Sequence, residues 1–170
     1  MTRSRFSTLP RTTALFVLLF VGGSAYASKS LTDFNNAPQQ LENIAGKGKW
    51  LVVMLWASDC HVCNQEAHQY VDFHNKHSKG QAHVLGVSLD GQSQLKEAKV
   101  FISKHKVSFP NWIGEPEIVA ELYQSLTGNP WVGTPSFMVY DPTGKLVGAQ
   151  AGAIPPALIE SFIERESAAN

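Results

Sequence analysis

Cysteine is almost absent from this 170-residue chain, which holds only two, Cys60 and Cys63. A scaffold stapled by several disulfides is therefore excluded, as is a zinc site made of cysteine alone. An excess of one charge is also lacking, since 14 lysines and arginines face 14 aspartates and glutamates. Nothing in that balance points to nucleic acid or a membrane surface as a partner. The apolar run near the N-terminus, Ala14 to Val21, falls well short of the roughly 20 residues that cross a bilayer. Internal repeats and low-complexity tracts are missing as well.

What is present begins with a leader. Arg3, Arg5 and Arg11, with no acidic residue among them, precede Ala14 to Val21, then Gly22-Gly23-Ser24 and the small-x-small triplet Ala25-Tyr26-Ala27. That is the order of a secretory signal peptide cleaved after Ala27. It predicts a signal peptide over 1–27, export to the periplasm, and one domain over 28–170 whose first residues, 28–38, form a loosely ordered lead-in. No cysteine lies near the cleavage site to carry a lipid, so the membrane is a partner only if the segment stays uncleaved. Losing three arginines leaves the exported chain three charges negative. Export also places the cysteines where disulfides form and persist.

Cys60-His61-Val62-Cys63 stands where a buried strand turns into a helix. Trp50 to Leu55 is unbroken apolar, which suits a strand covered on both faces. After it, Cys63, Ala67, Tyr70, Val71 and His74 recur at the spacing of one helix face. First-turn N–H groups and the positive end of the helix dipole favour a thiolate on Cys60, the nucleophile. Cys63, one turn along, is placed to attack a mixed disulfide formed there, so the pair reads as a thiol–disulfide exchange site needing no other cofactor. A purely structural disulfide would close only a very short loop and remove little chain entropy. Zinc would need His74 and His77 as further ligands, but their gap is shorter than a finger requires and a helix runs straight through it.

Further along, Gln39 to Ala45 has a short helical pattern and Gly46-Lys47-Gly48-Lys49 is a turn. His83 to Leu89 reads as a second buried strand ending in the turn dipeptide Asp90-Gly91. Ser93 to Lys106 reads as a helix with one apolar stripe, and Phe109-Pro110 ends the extended piece that follows. Pro116 opens a helix buried through Ile118, Val119, Leu122 and Leu126 and stopped by Gly128. Ser136 to Tyr140 and Leu146 to Ala151 flank Asp141-Pro142-Thr143-Gly144 as a hairpin, and Pro155-Pro156 starts a last helix. The order predicts an α/β fold, a central mixed β-sheet with helices on both faces.

Several separated features together resemble the thioredoxin superfamily, and more closely its TlpA/ResA-type exported thiol–disulfide oxidoreductases. They are Trp56-Ala57-Ser58 before the cysteine pair, the strand Val84 to Asp90, Phe109-Pro110, Thr134-Pro135 and Asp141-Pro142-Thr143-Gly144. The resemblance implies a thioredoxin-like fold with a cis Pro135 against the cysteines, and a Thr134 whose backbone pairs with an extended substrate segment, a form of strand addition. It also matches Glu66 to a residue that relays the proton Cys63 must lose, although by itself a glutamate near a helix N-terminus reads as solvated surface. Cytosolic-type thioredoxins use a buried aspartate on the preceding strand, where this chain has Met54.

Two positions depart from that family. Asp59 replaces the usual tryptophan and sets a negative charge beside Cys60, or caps the helix. His61-Val62 replaces a pair that usually contains proline, and a protonated His61 would favour the thiolate. Trp131 either lines the partner groove or packs on the core. The implied function is exchange of disulfides with cysteines of other exported proteins as reductant or moderate exchanger, with cytochrome c maturation a possible task and a further redox partner resetting the pair. The alternative is a thioredoxin-fold copper-binding chaperone, since thiolates beside a histidine suit copper(I). A cysteine peroxidase is disfavoured by Ala57, which stands where its threonine would be.

Overall fold

The computed structural model describes Met1 and residues 30–169, so apart from Met1 the expected signal peptide lies outside the described residues. Seven strands form one sheet: β1 (Leu31–Asp33), β2 (Pro38–Gln39), β3 (Trp50–Trp56), β4 (Ala82–Ser88), β5 (Asn111–Ile113), β6 (Ser136–Tyr140) and β7 (Leu146–Ala151). Their order across the sheet is β2-β1-β5-β4-β3-β6-β7. β3, β4 and β5 run parallel, while β6, β7 and β1 are antiparallel to their neighbours, so the sheet is mixed as expected. The helices are α1 (His61–His77), α2 (Leu95–Lys104), α3 (Pro116–Thr127) and α4 (Pro156–Ala169).

The apolar run of β3 is central, and all seven of its residues are buried. Because side chains alternate along a strand, Trp50, Val52, Met54 and Trp56 enter one core, with Cys63, Ala67, Tyr70 and Phe73 of α1, Ala98 and Phe101 of α2, and Ile159 and Ile163 of α4. Leu51, Val53 and Leu55 enter the other, against Val119 and Tyr123 of α3. Helices therefore cover both faces, and each large apolar side chain withdrawn from water contributes roughly 1.5–3 kcal/mol. α1 contains neither glycine nor proline, and His74, Lys76 and His77 in its last turn complement the dipole. Lys76 and His77 also reach Glu160 at 3.2 and 2.9 Å, tying α1 to α4.

Three expectations need correction. The lead-in over 28–38 is not loose where it is described: β1 pairs with β5 and with β2, and Leu31 is buried in the second core. Its polar composition misleads because Asp33 Oδ1 accepts the Asn35 and Ala37 N–H groups at 2.8 and 2.9 Å, closing a tight turn through Asn36 at φ 68°. Phe109-Pro110 does not end the extended piece but precedes β5, too short a strand to show a periodicity. In α3 the buried residues are Val119 and Tyr123, with Leu122 partly buried against the same core, whereas Leu126 is exposed, because the face that meets the sheet carries Tyr123 and turns Leu126 outward.

Candidate active site

The β3–α1 turn carries the cysteines. Cys60 is the N-cap of α1, with extended backbone at φ −68° and ψ 112°, and its Sγ accepts the Cys63 N–H at 3.1 Å. The two sulfurs form a disulfide across a Cα–Cα distance of 5.2 Å. Cys60 is half-buried and Cys63 has no solvent exposure, so an incoming thiol meets Cys60 first. The cap belongs to Cys60 and not to Asp59, which is exposed beside it; His61, the first residue of α1, is also exposed.

The turn is held by residues that sequence reasoning passed over. Asp90, buried just past β4, accepts the Ser58 N–H at 3.0 Å and the hydroxyls of Ser58 and Ser88 at 2.7 and 2.6 Å. Read only as a turn residue, Asp90 carried a usable signal: Ser88 and Asp90 alternate onto one face at the end of an apolar strand, where a buried acid must find donors. Asn64, which bonds the Ser58 and Cys60 carbonyls, gave no such signal. Beneath the site the Trp56 indole stacks on Phe101, with centroids 4.2 Å apart, and donates to Asn111 Oδ1 at 3.1 Å. That bond crosses β4 at Gly86, where any Cβ would strike both the Asn111 carboxamide and the indole nitrogen.

On the other side of β3 lies Thr134-Pro135. Leu55 pairs with Ser136, so the antiparallel register continued by one residue sets buried Pro135 beside Trp56 at the head of the cysteine turn. The Thr134–Pro135 peptide is cis. Pro135 O accepts the Gly152 N–H at 2.8 Å, whereas neither the N–H nor the C=O of half-exposed Thr134 has a partner among the described residues. Trp131 packs against the second core with its Nε1 buried and unpartnered, which favours the packing role over the groove.

Glu66 sits one turn after Cys63 on α1, half-buried, with Oε2 cut off from solvent and without a hydrogen-bond partner. Burial raises its carboxyl above the ordinary value of 4.5, and burial together with the Glu66 charge raises the Tyr70 phenol. A carboxyl that binds its proton more tightly when folded contributes full stability below its unfolded pKa, and that contribution is lost as pH rises through the folded value. Glu66→Gln should therefore melt higher than the parent at pH 7, with the difference vanishing near pH 4; a difference independent of pH would remove burial as the cause.

His74 serves structure. His74 Nδ1 accepts the Val84 N–H at 3.1 Å, and burial lowers its pKa, keeping the ring neutral as that bond requires. Among the described residues, no three histidines, cysteines or acids are grouped to hold a metal ion.

Comparison with known proteins fits this geometry. The AhpC/TSA family profile matches residues 22–149. The chain is similar to the thioredoxin domain of a thiol-disulfide oxidoreductase from Bacteroides vulgatus, at 22% identity and TM-score 0.62, covering 79% of this chain and 94% of that one. It is similar to a secreted Mycobacterium tuberculosis disulfide oxidoreductase homologous to E. coli DsbE, at 20% identity and TM-score 0.58 over 82% and 94% of the two chains. A third likeness is the exposed lipoprotein thioredoxin of Streptococcus pneumoniae, at 19% identity and TM-score 0.60 over 79% and 96%. These likenesses establish the thioredoxin fold. No curated protein matches the chain.

Proposed function

Because this chain belongs to the AhpC/TSA family and has a thioredoxin fold, we propose that it is a thiol–disulfide oxidoreductase acting on cysteines of exported proteins, a periplasmic enzyme of the TlpA/ResA type. The observation that carries this reading is the disulfide between a half-exposed Cys60 at a helix cap and a fully buried Cys63. The secreted and surface-exposed proteins to which the chain is similar support export, as does the leader composition.

In the reducing direction the Cys60 thiolate attacks a substrate disulfide. A Cys60–substrate bond forms, the substrate's own S–S bond breaks, and one substrate sulfur leaves as thiolate and takes up a proton. The Cys63 thiol then gives its proton to Glu66, whose raised proton affinity suits it to the task. The resulting thiolate attacks Cys60 Sγ, restores the Cys60–Cys63 disulfide and releases the second substrate thiolate. Two electrons have passed to the substrate, and a separate exported dithiol must return two to the pair. The open N–H and C=O of Thr134 offer strand pairing to an extended substrate segment. Glu66→Gln should slow resolution of the mixed disulfide by about 100-fold or more, the scale of a lost general acid or base, and unchanged single-turnover kinetics would leave Glu66 without that role.

Direction follows from thiolate stability. The cap N–H favours the Cys60 thiolate and exposed Asp59 opposes it. The expected potential lies nearer thioredoxin's (about −270 mV) than DsbA's (about −120 mV). Equilibration with glutathione buffer at pH 7 measures it, and a value above roughly −150 mV on the same scale would make the protein an installer of disulfides. Stoichiometric copper on the reduced protein without turnover of a protein disulfide would instead favour a copper chaperone.

A further inference from the structure

Asn64 directly follows the second cysteine and grips the turn that carries the first. Its side-chain nitrogen donates to Ser58 O at 2.9 Å and Cys60 O at 3.0 Å. Its side-chain oxygen accepts from Lys104 Nζ at 3.0 Å and His105 Nε2 at 2.9 Å. The chemistry of these partners decides the orientation of the carboxamide, because two carbonyls need donors and an ammonium needs an acceptor. Cys60 O also accepts the Asn64 backbone N–H at 3.0 Å. One residue thus holds the carbonyls on both sides of Asp59, while Asp90 holds the Ser58 N–H and hydroxyl. Neither grip involves a sulfur, so opening the disulfide removes none of these bonds.

Resting on the exchange chemistry proposed above, we infer that Asn64 is a positioning residue: anchored by Lys104 and His105 of the α2 end, it keeps the reduced Cys60 sulfur on the N–H groups at the head of α1. Without the disulfide, the turn would otherwise be free to carry Sγ off the Cys63 N–H, and the thiolate would lose its donor. The Lys104 ammonium adds to the effect, since a charge-assisted bond to the carboxamide oxygen polarises the amide and strengthens what its nitrogen donates. His105 can supply an Nε2–H as a neutral ring, its pKa lowered by burial and by Lys104 and His68. The other charged and titratable groups around the turn are Asp59, Lys96 and Glu97, which share with Lys104 a cavity of about 340 Å³, and His61 and Glu66 on α1. None of these charged groups is itself removed when Asn64 alone is changed.

The test is the acidity of Cys60 in the reduced whole chain, read as its alkylation rate against pH with the label located by mass spectrometry, in the parent and in Asn64→Ala. The expected result is a Cys60 pKa raised by about one unit, hence about tenfold slower alkylation below it, and a potential more negative by up to about 30 mV. A Cys60 pKa and potential unchanged in Asn64→Ala, whatever happens to its melting temperature, would overturn the inference. Should Asn64→Ala not fold, Lys104→Met, which leaves the carboxamide in place, becomes the deciding variant. It must then raise the Cys60 pKa, and no shift overturns the inference. Parent protein that fails to exchange a protein disulfide would refute the proposed function, whereas the Cys60 titration would still report on the clamp.

Discussion

Cys63→Ser should stop the exchange at the mixed disulfide, leaving Cys60 bound to its substrate through a bond that nothing in the chain can resolve. Cys63 has no solvent exposure and lies one helical turn from Cys60, so its sulfur reaches Cys60 Sγ and little else. Turnover of a protein disulfide should fall by roughly three orders of magnitude or more, the scale seen when one member of a catalytic unit is removed. The lost turnover should reappear as a stoichiometric adduct that thiol reductant releases. Cys60→Ser should lose turnover to the same extent without forming an adduct. If the adduct instead accumulates on Cys63 when Cys60 is replaced, the nucleophile and resolving roles are reversed.

Trp56→Ala should be the most destabilising single change beneath the site. The indole is 1% exposed, stacks on Phe101 and bonds Asn111 across Gly86. Removing a buried large aromatic costs about 3–5 kcal/mol, and leaving the Asn111 carboxamide oxygen without its donor adds about 1–3 kcal/mol. At about 2–4 °C per kcal/mol for a chain of this size, the melting temperature should drop by ~10 °C or more. Trp56→Phe, which keeps a ring against Phe101 but loses the N–H and part of the indole's buried volume, should cost at least about 1–3 kcal/mol and less than Trp56→Ala. A Trp56→Ala variant that melts within about 3 °C of the parent would mean that α2 closes over the vacated space and that the indole does not brace the turn.

Much of this architecture was legible in the residues alone, because it rests on local rules. The unbroken apolar run of β3 announces a strand covered on both faces, and all its side chains are buried. Pro116, Gly128, the Asp141 to Gly144 turn and Pro155-Pro156 punctuate α3, the β6–β7 hairpin and α4, since each fixes backbone dihedrals within a few residues. Cys60 and Cys63 at a strand-to-helix turn needed no tertiary information to stand out, as a helix offers its unpaired N–H groups wherever it begins.

Only the tertiary structure decided what lies across the sheet. β1 and β5 are too short to show a period, and each is a strand because a neighbour satisfies its backbone. Tyr123 is buried while Leu126 is exposed because burial on a helix depends on which face meets the sheet, and several apolar stripes were available on that helix. Asp90 reaches Ser58 across 32 residues of chain, Asn111 reaches Trp56 across 55, and Lys104 reaches Asn64 across 40. Such bonds join polar groups that the fold alone brings together, and a single sequence holds no periodic trace of them. The sequence by itself determined the two sulfurs and the helix that heads toward them; packing decided which side chains hold that helix's first turn in place.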